Sequence, residues 1–308
     1  MRQITQPQRS LAHLSQRVFN VPLMIHEHKA EVIVAALHER LGVASIQRLD
    51  GTTLQAIDMN ATAADARRSY ENWRPFAESQ NVAVIPVTGT LVHKYGHLDP
   101  YSGMTGYDGI ARKVRAAMQD DEVKAIWLDI DSPGGEVSGC FTLAEEIARM
   151  TQSEGGDKPI WAYVDEQACS AAYAIASVCD RIYGPRTMMV GSIGVYVMFV
   201  DFSKRLDKEG FTVEIIRAGE QKGRTTGATA LTDDARDRIQ SMVDDTRDYF
   251  ADLVAMGRRP AGMTKDSVLA TEADVFSGFD ALELGLVDDV LSPGEAWELL
   301  QTEIGQRG

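Results

Sequence analysis

No histidine follows residue 97 in this chain of 308 residues; His13, His26, His28, His38, His93 and His97 are the full set. A hydrolase that places its histidine after the serine nucleophile is therefore excluded for any later serine. Cysteine is scarce as well. Cys140, Cys169 and Cys179 are odd in number and form no C-x-x-C pair, so there is no disulfide framework and the simpler expectation is a reducing compartment. Basic residues are outnumbered, 31 against 45 acidic, for a net charge of −14. A nucleic-acid partner, which needs a cationic face, is not expected. No run of 18 or more apolar residues occurs, so no spanning helix or membrane anchor is predicted. The opening Met1–Asn20 is polar, broken by arginines, and lacks the apolar centre of a signal peptide. The expected location is the cytoplasm. No His/Cys/Asp/Glu cluster has metal-site spacing, and neither a Walker loop nor a Gly-x-Gly-x-x-Gly fingerprint is present. Neither metal nor cofactor is expected.

What is there divides into three stretches. Residues 1–80 read as an extension, partly helical, with an amphipathic segment from Lys29 to Leu41 and an irregular 43–80. Within it, 58–72 reads equally as ordered or disordered. From Asn81 to residue 291, strand and helix signals alternate. Strands are predicted at Val82–Val87, Ala125–Ile130, Pro159–Val164, Arg181–Tyr183, Phe211–Arg217 and Leu286–Val290. Helices are predicted from Asp108, as cap, to Met118, over Val137–Met150 and Ser170–Val178, and from the cap Thr232 to Met256, with one more closing at Ala281–Gly285. The pattern is α/β with a mainly parallel sheet. Residues 292–308 read as a C-terminal helix or tail.

Ser170 lies in a run of small residues, Ala168-Cys169-Ser170-Ala171-Ala172, between a predicted strand and a predicted helix. A serine there is often only a helix cap. As a nucleophile it needs a base and an anion hole. Lys222, in Ala218-Gly219-Glu220-Gln221-Lys222-Gly223, is one candidate base. It must be neutral near pH 7, against a reference pKa of about 10.4, which requires burial away from carboxylates such as Glu220. A histidine base would have to come from the extension or from the 93–106 loop. Asp131-Ser132-Pro133-Gly134-Gly135 is a turn whose glycines let backbone N–H groups approach an oxyanion. The N–H of Gly135 or Gly134, with that of Ala171, is the expected donor pair. Cys169 is a rival nucleophile, but adjacent side chains diverge, so only one of the two can face a cleft.

Five segments in order resemble the signal peptide peptidase A-like family of serine proteases, within the Clp protease and crotonase-like superfamily. They are Asp131–Gly135, Ala168–Ala172, Gly191-Ser192-Ile193-Gly194, Gly219–Lys222 and Phe276–Asp288, and Ser192 and Lys222 follow Ser170 by 22 and 52 residues. The resemblance covers about 81–291. It implies repeated β-β-α units, Ser170 as nucleophile, Lys222 as general base and Ser192 as the hydroxyl that orients the lysine. It further implies a Ser-Lys protease domain acting on peptide or protein substrates, and a ring-like homo-oligomer. The 1–80 extension and the Asn20–Ile25 opening look like the phage head-assembly branch, whose members cleave scaffold or capsid proteins inside the prohead. The other readings are a soluble bacterial housekeeping peptidase, a crotonase-type acyl-CoA enzyme, and a non-catalytic assembly protein.

Overall fold

The computed structural model describes residues 22–25, 45–47, 53–55, 77–94 and 103–306. In chain order the elements begin with β1 (Pro22–Ile25), β2 (Ser45–Gln47), β3 (Thr53–Gln55), β4 (Ala77–Ser79), β5 (Val82–Thr88), β6 (Thr90–Val92), β7 (Met104–Gly106) and α1 (Tyr107–Gln119). The next are β8 (Ala125–Ser132), β9 (Gly134–Glu136), α2 (Cys140–Ala148), β10 (Ile160–Cys169), α3 (Ala171–Ser177), β11 (Arg181–Gly184), β12 (Met189–Gly191), β13 (Tyr196–Val197) and α4 (Ser203–Lys208). The chain closes with α5 (Asp233–Gly257), α6 (Lys265–Leu269), β14 (Val275–Ser277), α7 (Gly278–Glu283), β15 (Asp289–Val290) and α8 (Pro293–Gly305).

Two sheets result. The larger runs β14-β12-β10-β8-β5-β4, with β11 beside β10 and β15 beside β11. Pairs among β5, β8, β10, β11, β12 and β15 are parallel, and only the outer β4 and β14 run antiparallel. The smaller sheet runs β13-β1-β9-β6-β7. Each β-β-α repeat sends its first strand to the large sheet and its second to the small one: β5 and β6 before α1, β8 and β9 before α2. The predicted α/β architecture with a mainly parallel sheet is the observed one.

Alternation along the strands builds two cores. On β8, Ile126, Leu128 and Ile130 face the helices and join Ile110 and Val114 of α1, Leu143 and Ile147 of α2, and Phe250 and Val254 of α5. Trp127 faces the other way, with Trp161, Tyr163 and Tyr183, under Ala296 and Leu300 of α8. Trp127 stacks on Tyr163 at 5.0 Å and meets Trp297 edge-on at 5.3 Å. Burial of these rings is worth about 2 kcal/mol or more apiece. Helix α8 is held at its start by a reciprocal capping box between Ser292 and Glu295, with Pro at the first position.

Several expectations need correction. Helix α1 starts one residue earlier than its expected cap; Gly106 is the cap and Asp108 lies in the first turn, where its charge faces the positive helix end. Helix α2 is shorter than Val137–Met150, because Gly139 at φ +88° sets its start at Cys140. The last strand is only Asp289–Val290. Phe211–Arg217 is no strand: it has no ladder partner among the described residues, and it lies exposed. Its β-branched and aromatic composition favours a pleated surface only where a neighbouring strand exists. The 43–80 stretch holds a short antiparallel pair, β2 with β3, and the edge strand β4. Pro22–Ile25, read only as the lead into a helix, is a strand. The helix expected over Lys29–Leu41 and the segment 58–72 lie outside the described residues, as do His13, His26, His28, His38 and His97.

Candidate active site

The carboxyl ends of β8, β10 and β12 converge, the usual place for a site in a parallel α/β sheet. The register pairs Ala168 with Ser132, and Cys169 with Gly191. Ser170 and Ser192 therefore follow matched positions on neighbouring strands. Ser170 N–H donates to the Gly191 carbonyl at 2.8 Å, which ties the two turns together.

Ser170 sits in the sharp step from β10 into α3 with φ +55° and ψ −120°. That is an expensive region for any residue with a Cβ, about 1–3 kcal/mol, and such strain collects where side-chain direction matters. Ser170 is 1% exposed. Its Oγ has no hydrogen-bond partner among the described residues. An unpaired buried hydroxyl costs about 1–3 kcal/mol more. Two costs on one side chain, with no structural return, single out Ser170.

Ser192 repeats the pattern. Its φ is +53°, after Gly191 at +113°. Its N–H donates to the Asp274 carbonyl at 2.7 Å, beside Glu272 and Ala273, which also have positive φ. Gly194 packs so closely on this turn that a Cβ would lie 2.6 Å from Ala273 Cβ.

The glycine turn comes in from β8. Ser132 Oγ donates to the Gly89 carbonyl at 2.6 Å and accepts from Gly134 N–H at 3.2 Å. Gly134 N–H is thereby committed to the turn, which leaves Gly135 as the candidate donor on β9. Gly135 cannot carry a side chain, since a Cβ would stand 1.9 Å from the Leu91 carbonyl oxygen of β6. Ala171 opens α3, so its N–H has no acceptor within the helix.

The candidate bases are not in contact with Ser170. Lys222 lies exposed in the turn after 211–217, its N–H donating to the Gly219 carbonyl at 3.1 Å. The same turn gathers Arg217 and Arg224 on the Glu220 carbonyl. His93 is exposed, and its backbone N–H donates to the Glu136 carboxylate at 2.8 Å. Cys169 faces away from the serine side. Its Sγ points to the Met189 carbonyl at 3.7 Å, and burial pushes its thiol up to about 12. A thiol held neutral in this way is a poor nucleophile.

The sequence of residues 153–307 matches the model of peptidase family S49, about half of the chain. The chain belongs to peptidase family S49. The matched stretch contains Ser170, Ser192 and Lys222, and starts beyond Gly134 and Gly135. The S49 chain is 36% identical over 302 residues to the head-tail preconnector protein GP5 of Enterobacteria phage P21, covering 96% of this chain and 58% of that protein. It is also 36% identical to the capsid assembly protease C of Escherichia phage lambda, over 97% of this chain and 67% of that one. It thus spans about three-fifths to two-thirds of these relatives' length. Protease 4 of Haemophilus influenzae is 30% identical over 73% of this chain and 35% of its own. Among solved structures, a membrane-bound stomatin-specific protease, 1510-N, is similar at 19% identity and a TM-score of 0.39, over 68% of this chain and 74% of that one. No helix among the described residues is long and apolar enough to cross a membrane.

Proposed function

We propose that the chain is a serine endopeptidase that hydrolyses peptide bonds through an acyl-enzyme at Ser170. The observation that carries this reading is the doubly costly placement of Ser170, strained and unpaired at the strand-helix step beside Ser192 and the Gly135 strand. Lys222 is the base: it takes the Ser170 proton as Oγ attacks the carbonyl, returns it to the leaving amine, and then activates water. Ser192 orients the lysine amine. The N–H groups of Gly135 and Ala171 hold the oxyanion, worth about 3–4 kcal/mol per donor by analogy with other acyl-transfer sites.

Lys222 is exposed in the single chain. A lysine works as a base only when desolvated, so the reading requires the 211–229 segment to become covered. Association of copies is the proposed source of that cover, through Phe211, Val213 and Ile216, which are 59%, 41% and 92% exposed. The names of the two phage relatives support a role in head assembly, with scaffold or capsid protein as substrate and the prohead as the place of action.

The test is incubation with purified candidate scaffold and capsid proteins, comparing wild type with Ser170→Ala and Lys222→Ala. Both variants are expected to lose at least a hundredfold in rate at pH 7. If Lys222→Ala retains full activity, the dyad is wrong and a histidine such as His93 or His97 takes its place. Cleavage of generic peptides without any action on head proteins would favour the housekeeping reading.

A further inference from the structure

Strand β1 occupies an unusual place. It lies between β9 and β13 and runs antiparallel to both. Leu23, Met24 and Ile25 pair with Glu136, Gly135 and Gly134, while Pro22 and Leu23 pair with Val197 and Tyr196. The other edge of β9 is already taken by β6, through Leu91 opposite Gly135. An extended peptide that brings a carbonyl to the Gly135 N–H has one edge of β9 to lie along, and that edge holds β1.

Without β1, the gap from β9 to β13 is two strand spacings, about 9–10 Å, room for one extended chain paired on both sides. The burial of the site fits an occupied groove. Ser170 is 1% exposed, and Gly134 and Gly135 are buried. A peptide bond cannot reach a nucleophile closed off in this way. The occupant is also weakly held. It has four residues, its first is a proline with no N–H to give, and it pairs with β13 at only two positions. Short strands of this kind open at a small fraction of the global unfolding free energy.

We infer that Pro22–Ile25 is a built-in occupant of the substrate groove, a strand that holds the protease closed until it is displaced by an extended substrate peptide. The inference rests on the proposed placement of the oxyanion donor on β9. The strand and its competitor bind by the same main-chain ladder, so removing one N–H from the middle of β1 should open the groove without touching Ser170, Ser192, Gly135 or Lys222.

The experiment uses the full chain carrying Met24→Pro, with Ile25→Pro as a second variant. Two quantities are measured: the rate at which a fluorophosphonate probe labels Ser170, and the anisotropy of a fluorescein-labelled synthetic peptide spanning residues 18–29. Both labelling rate and peptide affinity are expected to rise at least tenfold over wild type, and unlabelled peptide should slow labelling of the variants. Equal labelling and equal binding in all three chains would overturn the inference. So would peptide binding that leaves labelling unaffected, or cooperative unfolding of both variants, since β1 would then be a fixed part of the framework. Each chain is also made with Lys222→Ala. A failed dyad shows as labelling indifferent to Lys222 while the ratio of variant to wild type persists. A failed strand shows as a ratio of one whatever Lys222 does. Were Ser170 not labelled in any chain, peptide binding alone decides.

Discussion

Ser170 carries its cost in the backbone, where it can be measured apart from catalysis. Glycine tolerates φ +55° and removes the unpaired hydroxyl, at the expense of a more flexible unfolded chain. Ser170→Gly should therefore raise stability by roughly 1–2 kcal/mol by denaturant unfolding while abolishing proteolysis. A midpoint lower than wild type would show that the turn is not strained. The neighbouring Cys169 gives a second, opposite signature. Its folded thiol titrates at about 12, raised by burial, against about 8.5 in the unfolded chain. Below pH 8.5 both states keep the proton and the group is neutral to stability. Between 8.5 and 12 only the unfolded chain ionises, so stability is lost as pH rises, by about 1.4 kcal/mol per unit per thiol. Cys169→Ala should flatten the decline above pH 9 by that amount and leave proteolysis intact. An unchanged slope would mean that the thiol is accessible in the folded protein. The nucleophile itself was legible in the sequence because small residues surround it, but its φ was not, since strain is a property of how two strands and a helix meet.

At the scale of elements, legibility followed whether a segment carries its own reason to be structured. Helix α5 was readable from Thr232, whose side chain accepts from Ala235 N–H at 3.3 Å, and from the apolar period behind it. Strands β5, β8 and β10 were readable as short apolar runs. Strand β1 was not, because four residues hold no periodicity and its order comes wholly from β9 and β13. The converse error fell on 211–217, a sequence with strand composition and no strand beside it. Gly135 shows how tightly one such junction is drawn. Any side chain there strikes the Leu91 carbonyl oxygen, so Gly135→Ala must push β9 off β6. The expected result is a loss of about 2–3 kcal/mol from overpacking together with loss of proteolysis, because the candidate oxyanion donor moves. A well-folded, active Gly135→Ala protein would remove Gly135 from the site.

The whole molecule leaves an apolar arm in water on the side that carries its candidate base. Ile216 is 92% exposed and Phe211 59%, in a segment whose backbone has no ladder partner among the described residues. Lone exposed apolar residues are common, but Phe211, Val213 and Ile216 alternate along one extended stretch and mark a contact surface. Nothing in the fold depends on Ile216, so Ile216→Asp should shift stability by no more than about 0.5 kcal/mol. It adds a charge to a contact between copies, where desolvation is costly. Sedimentation of the wild type is expected to show an oligomer that Ile216→Asp breaks into smaller species. If association supplies the burial that Lys222 needs, activity per chain will rise with wild-type concentration and stay low and concentration-independent in Ile216→Asp. A monomeric wild type with concentration-independent activity would sink the link between assembly and base, and would require Lys222 to reach Ser170 by movement of the 211–229 segment within one chain.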